Sequence, residues 1–122
     1  MKNVVLTGTT IADGSATITS TEAGVTGYVE KIVYDYTDTA TSSDFTFTAV
    51  EAGVNVPVMT ITNAATGDTV WYPRTLANKV TDAAAFANWA DKIFVTDSTF
   101  KVVIAGGGAT KTAKFIVYLS DE

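Results

Sequence analysis

Apolar and polar residues alternate with a period of two along most of this chain, which is the spacing of a β-strand with one covered face and not that of a helix. The clearest run is D-F-T-F-T-A-V, where Phe45, Phe47 and Ala49 fall on one side and Thr46 and Thr48 on the other. V-P-V-M-T-I-T-N, Val56 to Asn63, opposes Met59 and Ile61 to Val58, Thr60 and Thr62. Pro57 has no N–H to give to a ladder, so it is expected at a strand start or on a sheet edge. Towards the C-terminus, Phe100, Val102 and Ile104 oppose Lys101 and Val103, and Phe115, Val117 and Leu119 oppose Lys114, Ile116 and Tyr118.

Shorter signals complete the pattern. Val4 to Leu6 and Ala16 to Thr19 read as brief strands separated by the turn A-D-G-S. T-G-Y-V-E-K-I-V-Y-D-Y, Thr26 to Tyr36, reads as one long strand, with Val29 and Val33 on one face and Ile32, Tyr34 and Tyr36 on the other. Thr37 to Asp44 is a small polar loop. K-I-F-V-T leads through a turn at Asp97-Ser98 into F-K-V-V-I-A, and the run G-G-G-A-T-K predicts a flexible hairpin tip before the last strand. Only T-D-A-A-A-F-A-N-W-A-D-K breaks the period: Ala85, Phe86 and Trp89 share a helical face, which predicts one short helix over Ala83 to Ala90, capped by Thr81 or Asp82.

Eight or nine short strands with regular turns predict a single all-β domain over residues 1–122, an antiparallel β-sandwich of immunoglobulin-like or jelly-roll-like type carrying that one helix. A closed barrel is the second architecture. Composition agrees: Thr is the commonest residue, and Leu occurs only at Leu6, Leu76 and Leu119. At 122 residues with 47% hydrophobic content, the chain has the size for one core.

Chemistry is constrained mainly by what is missing. Without Cys there are no disulfides, thiolate nucleophiles or ordinary zinc sites, and without His the commonest general base and transition-metal ligand are absent. Thirteen acids against eight bases give a net charge of −5, and with a single arginine and no basic run, direct nucleic-acid binding is not expected. The opening M-K-N-V-V-L-T-G-T-T is too short in apolar residues for a signal peptide, and no apolar run has the length of a membrane span, so a soluble product made in a cytoplasm is expected. The acids and serines of Asp35, Asp38, Ser42, Ser43 and Asp44 match no calcium loop and read as solvated. Gly106 to Gly108 lack the helix and the ending of a phosphate loop. No cofactor, metal site or catalytic group is expected.

One stretch concentrates rare side chains: T-V-W-Y-P-R, Thr69 to Arg74, holds one of two tryptophans, a tyrosine, one of two prolines and the only arginine. Three readings compete: a stacking platform for a sugar, a core element in which alternation sends one aromatic in and the other out, and a partner contact of the Tyr, Trp and Arg type found at interface hot spots.

T-G-Y-V-E-K-I-V-Y-D-Y followed by S-D-F-T-F-T-A, V-M-T-I-T-N, W-Y-P-R and F-K-V-V-I-A-G-G-G-A-T-K-T-A-K-F-I-V-Y-L resembles, over nearly the whole chain, the small virion structural proteins of tailed bacteriophages. That resemblance implies a non-enzymatic β-sandwich that decorates or cements the capsid lattice, or sits in the head-tail junction, tail or fibre. It further implies a homo-oligomer, a trimer, whose partners are the major capsid protein or other virion proteins, made in the host cytoplasm and carried in the virion. Trp71, Tyr72 and Arg74, with Val4 and Leu6 of the N-terminal segment, are the residues expected to make or support its partner contact. A carbohydrate-binding module is the alternative of another class.

Overall fold

The computed structural model describes residues 2–78 and 85–121 and is all-β, with no helix among those residues. The described residues form ten strands: β1 (Lys2–Thr9), β2 (Ala16–Thr19), β3 (Val25–Tyr34), β4 (Ser43–Glu51), β5 (Val54–Ala64), β6 (Thr69–Trp71), β7 (Thr75–Asn78), β8 (Ala85–Asp91), β9 (Ile93–Ala105) and β10 (Thr112–Ser120). Eight of them form one open antiparallel sheet in the order β1-β10-β3-β9-β4-β5, with β2 added to β9 and β6 added to β3. Among the described residues β7 and β8 pair with each other and with no strand of that sheet.

The alternating runs become strands as their period requires. Phe45, Phe47 and Ala49 of β4 face inward, as do Phe100, Val102 and Ile104 of β9 and Phe115, Val117 and Leu119 of β10. The inward residues of β1 to β5, β9 and β10 meet in one core, so the sheet curls far enough to bury its own concave face. At its centre the Phe115 ring lies 5.0 to 5.1 Å from those of Tyr34, Phe45 and Phe47, stacked on the first and edge-on to the other two. Pro57 sits on β5, the last strand of the sheet order, opposite Thr48 and beside a register shift in the β4–β5 ladder, a place that tolerates a residue without an N–H.

Four sequence expectations are corrected. The predicted helix is a strand from Ala85 onward: in β8 the backbone pairs with β7 through Leu76↔Ala90 and Thr75↔Asp91, so ladder pairing overrides the helical preference of the alanines. Its expected caps Thr81 and Asp82, with Ala83, lie outside the described residues. Second, the Gly-rich segment joins no hairpin. β9 and β10 do not pair with each other, because β3 lies between them, taking β10 on one edge and the first half of β9 on the other.

Third, Asp97-Ser98 makes no chain reversal. β9 runs through it as a bulge: Val25 pairs Ser98 and Gly27 pairs Val95, so Thr96 and Asp97 together oppose Thr26, with Asp97 at φ 46°. Fourth, Val29 and Val33 face opposite ways. Leu119 pairs Val29 and Tyr118 pairs Lys31, which leaves Glu30 as an extra residue and reverses the facing of the strand beyond it, so that Ile32 and Tyr34 point inward with Val29 while Val33 turns outward.

The β4–β5 hairpin closes on Ala52-Gly53, with Glu51 opposite Val54. Both central residues have positive φ, 49° and 80°, the signature of a type I′ turn. Glycine adopts that conformation freely, whereas alanine is strained by its Cβ and Asn is the favoured residue there. Ala52→Asn is therefore expected to stabilise the fold by about 0.5–1 kcal/mol, read as a higher urea midpoint with an unchanged m-value.

Candidate functional site

Thr69 to Trp71 form β6 because they continue the second edge of β3 where β9 leaves it, pairing Thr69 with Tyr34, Val70 with Val33 and Trp71 with Ile32. Alternation then sorts the segment. Trp71 is half-buried and stacks on Tyr34, centroids 5.7 Å apart and planes 13° from parallel, with Phe45 and Phe47 each 6.2 Å away. Tyr72 faces solvent at 62% exposure, and Pro73 is buried. The core and outward readings thus each hold for one aromatic.

Arg74 lies on the surface, but its guanidinium is committed to backbone. Its Nη1 donates to the Pro73 carbonyl at 2.6 Å and to those of Glu30 and Val29 at 3.2 and 3.4 Å. The bulge makes this possible by exposing consecutive carbonyls at Val29 and Glu30. The Glu30 carboxylate accepts from Lys92 Nζ at 2.6 Å and from the Ser120 hydroxyl. Hydrogen bonding from Lys92, then from Ser120, holds Glu30 below the usual carboxylate range, with the Lys92 and Arg74 charges adding to it. Arg74, Glu30 and Lys92 therefore bracket the place where the β7–β8 hairpin leaves and re-enters the body.

Of the two roles expected for Val4 and Leu6, contact or support, their burial suits support. Both are fully buried in the core through the inward face of β1, and it is Val5, between them, that faces out at 41% exposure. Val4 and Leu6 can support a surface but cannot touch a partner. The sequence signal for Val5 was present in the alternation but carried no phase without a known inward face.

The polar loop and the Gly-rich segment meet at one end of the body and brace each other. Asp38 accepts from the Thr112 amide at 2.8 Å, Asp44 from the Asn63 amide at 2.9 Å, and Ser43 donates to the Ala40 carbonyl. Among the described residues no group of three or more His, Cys, Asp or Glu is placed to hold a metal ion. The Gly107 amide donates to Gly14, its carbonyl accepts from Ala40, and the buried Thr10 hydroxyl donates to the Gly108 carbonyl at 2.6 Å. The expected flexible tip is thus tied to both neighbouring loops.

Comparison with protein-family models, with characterised proteins and with solved structures finds no match. What the arrangement offers is rigid surface: one exposed aromatic beside an arginine locked to backbone, on a body whose loops are cross-braced.

Two consequences are measurable. A Cβ at position 107 would stand 2.9 Å from Ile104 Cγ2, 3.1 Å from Thr10 Cγ2 and 3.2 Å from the Gly14 carbonyl, so Gly107→Ala is expected to cost about 1–3 kcal/mol in urea unfolding. Because the Glu30 pKa is lowered by folding, its contribution is fully present above the ordinary Glu pKa and is lost as pH falls through the lowered value. Glu30→Gln is expected to lower thermal stability at neutral pH, and the gap from wild type is expected to close as the solution is acidified below the usual carboxylate range. A gap that persists unchanged in acid means the carboxylate charge is not the source.

Proposed function

We propose that this protein is a non-enzymatic structural component of a tailed-bacteriophage virion, a β-sandwich module that decorates or cements the head lattice through the major capsid protein. Head-tail junction, tail and fibre are the other positions in the particle consistent with the same physical design. The observation that carries the reading is the β7–β8 hairpin. Among the described residues its strands pair with each other and not with the main sheet, and a two-stranded hairpin on its own is marginal in water. A lattice neighbour is the partner that this reading assigns to it.

Other features support the same reading. The core is continuous and aromatic, the loops at one end are cross-braced, and Arg74 and Glu30 fix the root of the hairpin. A body of this kind transmits load and presents surface; repeated around a lattice axis, weak contacts add through avidity. The carbohydrate-binding reading loses ground because alternation sends the two rings to opposite sides, Trp71 half-buried against the core and Tyr72 out to solvent, so they do not form one platform.

The test is binding to purified heads of the phage that encodes the chain. Saturable attachment at a fixed copy number per head is expected, and replacing residues 75–91 by a short Gly-Ser link is expected to weaken it by at least ~10-fold, the loss of a contact worth ~1.4 kcal/mol or more. Binding to a glycan array with no attachment to any virion part would overturn the proposal.

A further inference from the structure

The two outward faces of the main sheet differ. On the β2-β9-β4-β5 side one row across the strands reads Thr17, Val103, Thr46 and Thr60, and the next reads Thr19, Lys101, Thr48 and Pro57, a side rich in threonine. On the β1-β10-β3-β6 side the register brings Val5, Ile116, Val33 and Val70 into one unbroken apolar row, with Val5 41% and Val70 43% exposed and the two inner residues half-buried. An apolar row spanning four strands, with tyrosines beside it, marks a face that is covered in use.

The residues on either side of the row show what covers it. Two residues along each strand in one direction lie Asn3, Tyr118, Lys31 and Tyr72; two residues along in the other lie Thr7, Lys114, Asp35 and Asp68. The first rim carries a single base, and the second carries two acids and one base. Lys31 stands 5.0 Å over the Tyr118 ring, and Lys114 and Asp35 are 3.8 Å apart with both side chains about half exposed, so the charges stay within reach of a partner. The Asp68 carboxylate accepts from the Tyr36 amide and remains exposed.

We infer that this face binds the same face of a second copy, through a two-fold axis that runs along the apolar row. Rotation about that axis reverses every strand, so each strand lies over its own copy and the rims exchange. Val33 meets Val33 and Ile116 meets Ile116. Lys31 faces Asp35 of the second copy, Lys114 faces the Tyr118 ring, the Tyr72 hydroxyl faces the Asp68 carboxylate, and Asn3 faces Thr7. Each pair is attractive: an ion pair, a cation over an aromatic face, and hydrogen bonds. Two sheets stacked this way lie about 10 Å apart with strands crossing at roughly 30°, which keeps pairs this near the axis within side-chain reach. The contact is isologous, in place of the three-fold arrangement that the resemblance implies. It uses none of the β7–β8 hairpin and does not depend on the virion reading.

The face is four strands wide, about 15–19 Å at the usual strand spacing, which is the low end for a specific interface. Dimerisation is therefore expected at ~10–100 µM, seen by sedimentation velocity or light scattering of the full chain. Lys31→Asp alone and Asp35→Lys alone are each expected to raise the dissociation constant by ~10-fold or more, because each sets like charges face to face twice. Mixing the two single variants restores charge pairing and is expected to give a heterodimer of near wild-type affinity, as is the double variant with itself. Val5→Lys, on an exposed position of the outermost strand, is expected to weaken association while the thermal melt stays near wild type, which separates a lost contact from a lost fold. A wild-type chain that stays monomeric at ~1 mM overturns the inference, as does a dimer indifferent to the charge swaps. A chain that binds phage heads but never self-associates fails this inference and leaves the virion reading standing; a dimer that ignores heads does the reverse.

Discussion

Strand β9 has to serve three neighbours, and the bulge at Thr96 and Asp97 is what lets it. Its first half pairs with β3 and its second with β4 and β2, and the inward positions shift from Ile93 and Val95 to Phe100, Val102 and Ile104. Without an uneven count across Thr26, one half of the strand would turn its apolar residues to water. The bulge is held from all sides: the Asp97 amide donates to Thr26, the Thr96 amide to the Glu51 carboxylate, and the Ser98 hydroxyl to the Thr96 carbonyl. Glu30 does the same for β3. Together the two irregularities bend an eight-stranded sheet around one core.

That core governs what the surface can be. Tyr34, Phe45, Phe47 and Phe115 fill the centre and Trp71 closes over them, so the tryptophan that looks most like a ligand platform is spent half on packing. Burial of the Tyr34 ring pushes its phenol above the ordinary value, opposed by its hydrogen bond with Thr39. What remains outside is sorted by the same alternation: a Thr-rich outer side, an apolar and aromatic outer side, and a hairpin rooted beside Arg74 and Glu30.

Much of this was legible in the residues. The all-β class, the inward sets of β4 and β10, the edge position of Pro57 and the division of labour between Trp71 and Tyr72 follow from period-two alternation and from proline's missing N–H. Where the reading went astray, the cause was a non-local choice. The alanines around Phe86 favour a helix locally, yet β8 pairs with β7; a triple glycine suggests a hairpin, yet β3 separates the two strands it joins. That Val4 and Leu6 face the core while Val5 faces out is not legible in so short a run, because alternation has a period but no absolute phase.

By itself, then, the sequence determined the period, the residue sets that travel together on one face, and the absence of His and Cys chemistry, because each is a property of neighbours along the chain. Which set faces in beyond a bulge, which strands meet, and which rows line up across β1, β10, β3 and β6 were decided only by the tertiary structure, because those depend on register between segments far apart in sequence, and a single extra residue such as Glu30 reverses every side chain that follows it.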